Sequence, residues 1–151
     1  MKTVRKLRPW ELEDAVPLAE EFHAAAQLGG EFSASVFITQ MAALGGVGRL
    51  GMFGIFDDDN LVGVLIGTIG QHFLTDHSIA QEIMWWVRPG FREGSASIRL
   101  VVEFEKWAKV LGASAIVMAS FEKSDNADRL DGIYDRRGYS LIEHHYFKLL
   151  E

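Results

Sequence analysis

A lone carboxylate and a turn rich in small residues mark the part of the chain that could do chemistry. Glu82 interrupts an otherwise apolar run, and the turn Arg88–Ser97 leads into a long amphipathic pattern. A carboxylate in a buried strand must be paired, reached by solvent through a cleft, or shifted in pKa. A helix entered through such a turn offers unpaired backbone N–H groups and the positive end of its dipole, which bind phosphate or pyrophosphate. The stretch Gln81–Leu111 therefore predicts a site for an anionic cofactor.

Three predicted elements must position this site. The run Ile79–Val87 is apolar almost throughout, as a central strand covered on both faces must be. An apolar stripe at helical spacing predicts a helix over Ser95–Leu111, and Gly112 supplies its C-terminal stop. Ala115–Ser120 is predicted to be a second buried strand. A strand, a helix and a strand of these lengths form a βαβ crossover, so we expect a parallel pair at the centre of the sheet.

The remaining elements follow from the same patterns. Three glycines in or just after the third predicted strand, Gly63, Gly67 and Gly70, indicate a β-bulge or a close approach by another backbone or by a ligand. The other predicted elements are strands over Thr3–Leu7, Met52–Phe56, Leu61–Ile69 and Tyr139–Leu149, and helices over Glu11–Gln27, Ser33–Leu44 and Ala127–Arg137.

The composition bounds the class of protein. The chain has 151 residues, no cysteine and a formal net charge of −6. The length fits one domain with a proper core, and the lack of cysteine excludes disulfides and thiolate metal sites. The negative charge argues against broad binding of nucleic acid. No apolar run is long enough to cross a bilayer and the N-terminus lacks a secretory h-region, so we expect no membrane partner and a cytoplasmic location.

Two patterns could suggest a metal, and neither supports one. The acidic run Asp57–Asn60 fits an exposed hairpin turn, because the alternating ligands and distal glutamate of a calcium loop are absent. His72 and His77 are five residues apart and no third ligand is evident. We therefore expect no metal.

Two motifs resemble the GNAT superfamily of acyl-CoA-dependent N-acyltransferases, in particular its short bacterial and phage members. Val87–Arg92 followed by Glu93–Ser97 is similar to the family's strand end, Pro-x-aromatic-Arg turn and pyrophosphate loop. Asn126 and Tyr134, ahead of Arg137-Gly138-Tyr139, resemble a second family signature. The resemblance covers nearly the whole chain and implies one α/β domain, residues 1–151. Its expected fold is a mixed sheet of six or seven strands, with a splayed parallel pair and about four helices.

The resemblance implies a site for acetyl-CoA as co-substrate and an amine of a small molecule or peptide as acceptor. Backbone N–H groups near Trp86 and Val87 would bind the pantetheine arm and the thioester oxygen, and the loop with Arg92 would hold the pyrophosphate. The residues that the resemblance assigns to cofactor binding are Trp86, Val87, Arg92, Glu93, Gly94, Ser95, Ala96, Ser97 and Asn126.

The resemblance also implies two catalytic residues. Glu82 would take the proton of the attacking amine, since burial raises a carboxylate pKa toward neutrality. Tyr134 would donate a proton to the departing sulfur, because a phenol is protonated at neutral pH. The structural alternatives are a glutamate that only bonds a neighbouring loop and a core tyrosine on a helix face. Of the adjacent Trp85 and Trp86, one is expected in the core and the other along the substrate channel.

The sequence leaves a non-catalytic function open. Where the family loop has glycine or alanine, this chain has Ser95 and Ser97, with Gly94 one place early and Glu93 beside it. The alternative to the enzyme is accordingly a weak or inactive GNAT-like module that acts by binding CoA or protein. Many family members are dimers, so the resemblance also implies a homodimer.

Overall fold

A computed structural model describes residues 1–121 and 127–150 of the chain. It contains five strands and four α-helices: β1 Lys2–Lys6, α1 Val16–Ala26, α2 Ala34–Gly46, β2 Leu50–Asp57, β3 Asn60–Gln71, β4 Ser78–Val87, α3 Ala96–Val110, β5 Ala113–Val117 and α4 Ala127–Arg136. The first predicted helix is divided, because Pro9–Ala15 forms a 3-10 helix that runs into α1.

The strands form one mixed sheet in the order β1-β2-β3-β4-β5. Neighbouring strands are antiparallel except β4 and β5, which are parallel and joined through α3, as the βαβ pattern predicts. The expected count of six or seven strands is wrong, because residues 140–150 form no strand. An apolar strand pattern becomes a strand only when it pairs with a neighbouring strand, and residues 140–150 pair with no strand within the described ranges.

Helices cover both faces of the sheet, since alternate residues of each buried strand point to opposite faces. Leu65 packs with Phe104 of α3 and Ile133 of α4 on one face. Val64 packs with Leu18 of α1 and the α2 residue Met41 on the other. The buried positions of the central strands are therefore almost all apolar, and the buried Glu82 is the exception that needs an explanation.

A β-bulge in the centre of the sheet accounts for one of the unusual glycines. Ile66 of β3 pairs with Met84, whereas Gly67 pairs with Glu82, so Ile83 is the extra residue on β4. A Cβ at Gly67 would run into the ring of Phe104. This confirms the predicted bulge at Gly67. The close neighbour is the side chain of Phe104 instead of a backbone or a ligand, and only a glycine leaves room for that ring.

Candidate active site

The site begins where the two parallel strands part. β4 and β5 are paired only as far as Gln81 and Val117, and Glu82 is the next residue along β4. Residues three apart on a regular strand lie on opposite faces. The extra residue Ile83 changes this, and Glu82 and Trp85 line the same cavity. The bulge thus directs the Glu82 carboxylate toward the opening between β4 and β5.

Glu82 is buried in this opening, with 7% of its surface exposed. Burial raises its pKa from 4.5 to about 8, and a hydrogen bond from the backbone N–H of Ala119 opposes part of that rise. Ala119 follows β5, on the far side of the opening. The pKa of Glu82 therefore lies near neutral pH, where the carboxyl group can both accept and release a proton.

Tyr134, on α4, also contacts Ala119. Its hydroxyl donates a hydrogen bond to the carbonyl oxygen of Ala119 at 2.6 Å, and its ring packs on Trp85 with the ring centroids 5.8 Å apart. Burial raises its pKa further above the usual value, and the negative charge of Glu82 adds to the rise. The phenol is therefore fully protonated at neutral pH.

A small cavity of about 20 Å³ adjoins Glu82, room for roughly one water molecule. Its walls are mostly aromatic or small, and both Trp85 and Trp86 border it. Trp85 is buried in the core as well, so the expected division into one core and one channel tryptophan is only partly right. The other lining residues include Phe22 and Ala25 of α1, together with Phe121 and Leu130.

The predicted phosphate loop lies between the end of β4 and α3. Gly94 has a φ of +87°, a conformation that L side chains rarely adopt. Ser95 precedes the first helical residue, and its side chain makes no capping hydrogen bond. The first-turn N–H groups of α3 are thus not capped by this serine. An anion site at a helix N-terminus requires such uncapped N–H groups. Glu93 is exposed, and Ala96 and Ser97 are buried.

Arg92 lies differently from the prediction that its charge faces a phosphate. Its side chain is buried, and Nε donates to the carbonyl oxygen of Val87 at 2.7 Å. The guanidinium carbon lies 4.7 Å from the ring centre of Trp86. Arg92 therefore joins the loop to the end of β4. The indole Nε1–H of Trp86 donates to the carboxylate of Glu21 at 3.2 Å.

Two cations that the sequence did not suggest accompany the loop. Lys2 Nζ donates to the carbonyl oxygen of Glu93 at 3.2 Å, and a guanidinium N–H of Arg129 donates to the carbonyl oxygen of Arg92. Both positive charges come from elements distant in sequence, β1 and α4. Only the register of the sheet and the packing of α4 bring them here, so no local pattern could have identified them.

The structure brings the predicted residues together in two groups. Glu82 and Tyr134 meet at Ala119, with Trp86 beside the cavity. The loop residues form the second group at the end of β4. Asn126, which the resemblance assigned to cofactor binding, lies outside the described residues. Ala119 itself was missed, because it contributes only backbone groups and its sequence context carries no signal for that role.

Across residues 1–121 and 127–150, no three side chains of His, Asp or Glu are grouped so that they could hold a metal ion. None of the helices within those ranges is long and apolar enough to span a membrane.

Comparisons with known proteins agree on the fold. A family model described as the acetyltransferase (GNAT) family matches residues 11–139. No curated protein matches the chain. Many solved structures do, and three illustrate the range.

The first is the aminoglycoside N-acetyltransferase AAC(6')-Iy with the bisubstrate analogue CoA-S-monomethyl-acetylneamine, at a TM-score of 0.77 and 14% identity over 100% of this chain and 99% of that one. The second is a predicted acetyltransferase from Clostridium acetobutylicum with acetyl-CoA, at 0.80 and 9% over 99% and 96%. The third is a ribosomal-protein-alanine N-acetyltransferase from Brucella melitensis, at 0.74 and 15% over 100% of both chains. At these identities the likeness shows a shared fold.

Proposed function

The chain belongs to the GNAT family of acetyltransferases, and we propose that it transfers the acetyl group of acetyl-CoA to the nitrogen of an amine. The observation that carries the proposal is the meeting of Glu82 and Tyr134 at Ala119, where β4 and β5 part. A buried carboxylate and a protonated phenol lie there, the first hydrogen-bonded to the N–H and the second to the carbonyl oxygen of the same residue. These are the two proton-transfer groups that acyl transfer to an amine needs.

The reaction proceeds by direct attack. Glu82 takes a proton from the ammonium form of the acceptor, and the neutral nitrogen attacks the thioester carbonyl. When the tetrahedral intermediate collapses, the carbon–sulfur bond breaks and the thiolate receives a proton from the Tyr134 hydroxyl. The nitrogen loses its remaining extra proton as the amide forms, and return of a proton to the Tyr134 phenolate restores the phenol. To donate that proton, the hydroxyl turns away from the carbonyl oxygen of Ala119, to which it is bonded in the free protein.

Acetyl-CoA would lie along the open side of β4. Backbone N–H groups near Trp86 and Val87 would bind the pantetheine arm, and the amides of Gly94–Ser97 at the start of α3 would bind the pyrophosphate. The positive charges of Lys2 and Arg129 beside the loop support this placement, because they offset the negative charge of Glu93. Arg92 would act by holding the loop to the strand end.

The acceptor is a small-molecule or peptide amine. Among the solved structures of this fold, one is an aminoglycoside N-acetyltransferase and another is a ribosomal-protein-alanine N-acetyltransferase, so the fold accommodates both classes of amine. The aromatic lining next to Glu82 favours an amine carried on an apolar or ring-shaped body. A cytoplasmic location, a homodimer, and the absence of metal, nucleic acid and membrane partners stay predictions.

Calorimetry with acetyl-CoA, followed by detection of released thiol, tests the proposal. The chain contains no cysteine, so a thiol reagent reports free CoA without background from the protein. The acceptors tested would be sisomicin, a peptide with an N-terminal alanine and an arylalkylamine. Binding of acetyl-CoA with thiol release that depends on one of these amines supports the enzyme. No binding at millimolar acetyl-CoA would overturn the proposal.

The alternative function is a module that binds CoA without turning it over. Ser95, exposed where the family loop has glycine, is the observation that favours it, because its Cβ limits how closely the backbone can approach a phosphate. Acetyl-CoA binding with no thiol release in the presence of any amine would favour this module.

A further inference from the structure

The indole of Trp85 places a hydrogen-bond donor in the candidate active site. Its side chain is 5% exposed, and its buried Nε1–H has no hydrogen-bond partner among the described residues. The adjacent Trp86 differs, because Glu21 accepts its Nε1–H at 3.2 Å. A buried donor without an acceptor is costly, and folded proteins leave few of them. The Trp85 N–H is therefore a candidate to bind a group that the described part of the chain does not supply.

The cavity next to Glu82 is the place from which such a group can reach Trp85, which borders it. On its other sides Trp85 packs in the apolar core cluster that contains Leu130, and against the ring of Tyr134. The Tyr134 hydroxyl already donates to the carbonyl oxygen of Ala119, and the Glu82 carboxylate already accepts the N–H of the same residue. An acceptor atom for the indole thus has to enter through the cavity.

We propose, on the basis of the proposed acetyl transfer to an amine, that Trp85 selects acceptors with a hydroxyl or carbonyl oxygen beside the amine. Glu82 and Trp85 border the same cavity. A nitrogen held at Glu82 therefore places the next carbons of the acceptor, and any oxygen on them, beside the indole. That oxygen accepts the Nε1–H. A plain alkylamine fills the same space with C–H groups and leaves the buried donor unpaired, which a binding site penalises.

The other side chains around the cavity cannot take this role. Glu82 interacts with the amine itself, and Phe22 has no polar atom. The Ser120 hydroxyl and the Trp86 Nε1–H each donate to a carboxylate already. Of the described side chains that border the cavity, Trp85 is left as the donor for an incoming oxygen.

The proposal divides the amines that the fold could otherwise accept into two classes. Amino alcohols, amino sugars and the N-terminal residue of a peptide carry an oxygen close to the amine. Arylalkylamines and polyamines of the alkyl type do not. The acceptor is thus narrowed to the first class, and the aromatic walls of the cavity favour members with an apolar or ring-shaped body.

Phenylethanolamine and phenethylamine test this selection, because the first carries a hydroxyl next to the amine-bearing carbon and the second lacks it. Thiol release from acetyl-CoA gives kcat/KM for each. The unmodified chain should favour phenylethanolamine by about 10-fold or more, the effect of one hydrogen bond to a buried donor. Trp85→Phe, which lacks the N–H, should lose most of this preference. Comparing the ratios between proteins removes the intrinsic difference in reactivity between the two amines.

Trp107→Phe is the matched control, since it makes the same change in a tryptophan that packs on the same core from α3. It should keep the preference of the unmodified chain. If Trp85→Phe does not fold, benzothienylalanine at position 85 replaces it, because this residue keeps the shape of the indole and has sulfur in place of the N–H.

The indole proton gives a second readout that needs no turnover. The chain has four tryptophans, so nitrogen-labelled tryptophan gives four indole N–H signals, and replacing the other three in turn assigns that of Trp85. Titration with phenylethanolamine, with and without CoA, should move the Trp85 signal downfield, as formation of a hydrogen bond does. Phenethylamine should not move it in this direction.

Equal kcat/KM values for the two amines, or a preference that persists without the Trp85 N–H, would overturn the proposal and leave acetyl transfer intact. If no amine released thiol, the proposed function would fail, and the indole signal would decide the hydrogen bond by itself. A Trp85 signal that phenylethanolamine, sisomicin and a peptide with an N-terminal alanine all left unmoved would overturn the selection by Trp85.

Discussion

Glu82 and Tyr134 bind the two backbone groups of one residue: the carboxylate accepts the N–H of Ala119, and the hydroxyl donates to its carbonyl oxygen at 2.6 Å. The two side chains come from β4 and α4, and Ala119 follows β5. A shift of any one of these elements would therefore disturb both groups together. The charge of Glu82 also raises the pKa of Tyr134, so ionising the candidate base keeps the candidate acid protonated.

Replacing Glu82 by glutamine tests the general base. The amide can still accept the Ala119 N–H, but it cannot take a proton, so kcat should fall by about 10²–10⁴-fold while the Kd for acetyl-CoA stays unchanged. For the unmodified enzyme, kcat/KM should rise with pH and level off above about 8, where the carboxylate is ionised. Steady-state kinetics across pH 5.5–9.5 measure both effects.

The exposed carboxylate of Glu13 supplies the control, since Glu13→Gln changes the same group away from the cleft. Its rate and pH profile should match those of the unmodified chain. If Glu82→Gln turned over at the normal rate at every pH, Glu82 would be a structural residue bonded to a neighbouring loop.

The same substitution makes a prediction about stability. The folded-state pKa of Glu82, about 8, lies above the ordinary value of 4.5, so the folded chain holds this proton more tightly than the unfolded chain. Stability from this group is fully present below pH 4.5 and is lost as pH rises toward 8. Glu82→Gln should remove that loss, and its advantage over the unmodified chain should grow with pH to roughly 2–4 kcal/mol.

Urea unfolding of both proteins at intervals between pH 4.5 and 8.5 would measure this difference. A constant difference in unfolding free energy over that range would show that the pKa of Glu82 is not raised in the folded chain.

Local patterns were sufficient for the elements that hold the site. The predicted strand Ile79–Val87 and helix Ser95–Leu111 correspond to β4 at Ser78–Val87 and α3 at Ala96–Val110. Their apolar spacing follows from which face each residue buries, and that is written in consecutive residues. The bulge was signalled by Gly67, since a glycine in a strand interior indicates either a bulge or a close neighbour.

The contacts within the site depend on residues far apart in the chain, and there the sequence was insufficient. The partner of Glu82 is a backbone N–H of Ala119, whose position depends on how β5 ends. Arg92 was expected to face an anion, but the carbonyl oxygen of Val87 and the face of Trp86 hold it inward. The final strand was predicted from its apolar pattern alone, which contains no information about whether a partner strand lies within the same chain.

Tyr134→Phe tests the general acid. Without the hydroxyl, the thiolate must leave unprotonated, so kcat should fall by at least about 10²-fold while acetyl-CoA binds as before. The lost hydrogen bond to Ala119 should cost about 1 kcal/mol of stability, a loss too small to unfold the chain. Turnover and calorimetric Kd, measured on the same preparation, separate the two effects.

Tyr139→Phe is the matched control, because the Tyr139 ring packs 5.7 Å from Tyr134 and it also loses one hydroxyl. It should keep its normal kcat. Equal rates for Tyr134→Phe and the unmodified enzyme would leave Tyr134 as a core residue.

Gly94→Ala, compared with Gly90→Ala, tests the loop at the start of α3. Both positions have room for a methyl group, since no other atom lies within 4 Å of where a Cβ would be. Of the two, only Gly94 has a positive φ, at +87°. An L residue in that conformation is strained by roughly 1–2 kcal/mol, so Gly94→Ala should shift the loop and weaken acetyl-CoA binding by about 10-fold. Gly90→Ala should leave the Kd unchanged.

Calorimetry with acetyl-CoA, and with CoA lacking the acetyl group, should show the same weakening for both ligands, because the loop would contact the pyrophosphate they share. Equal affinities for the two alanine variants would place the pyrophosphate elsewhere.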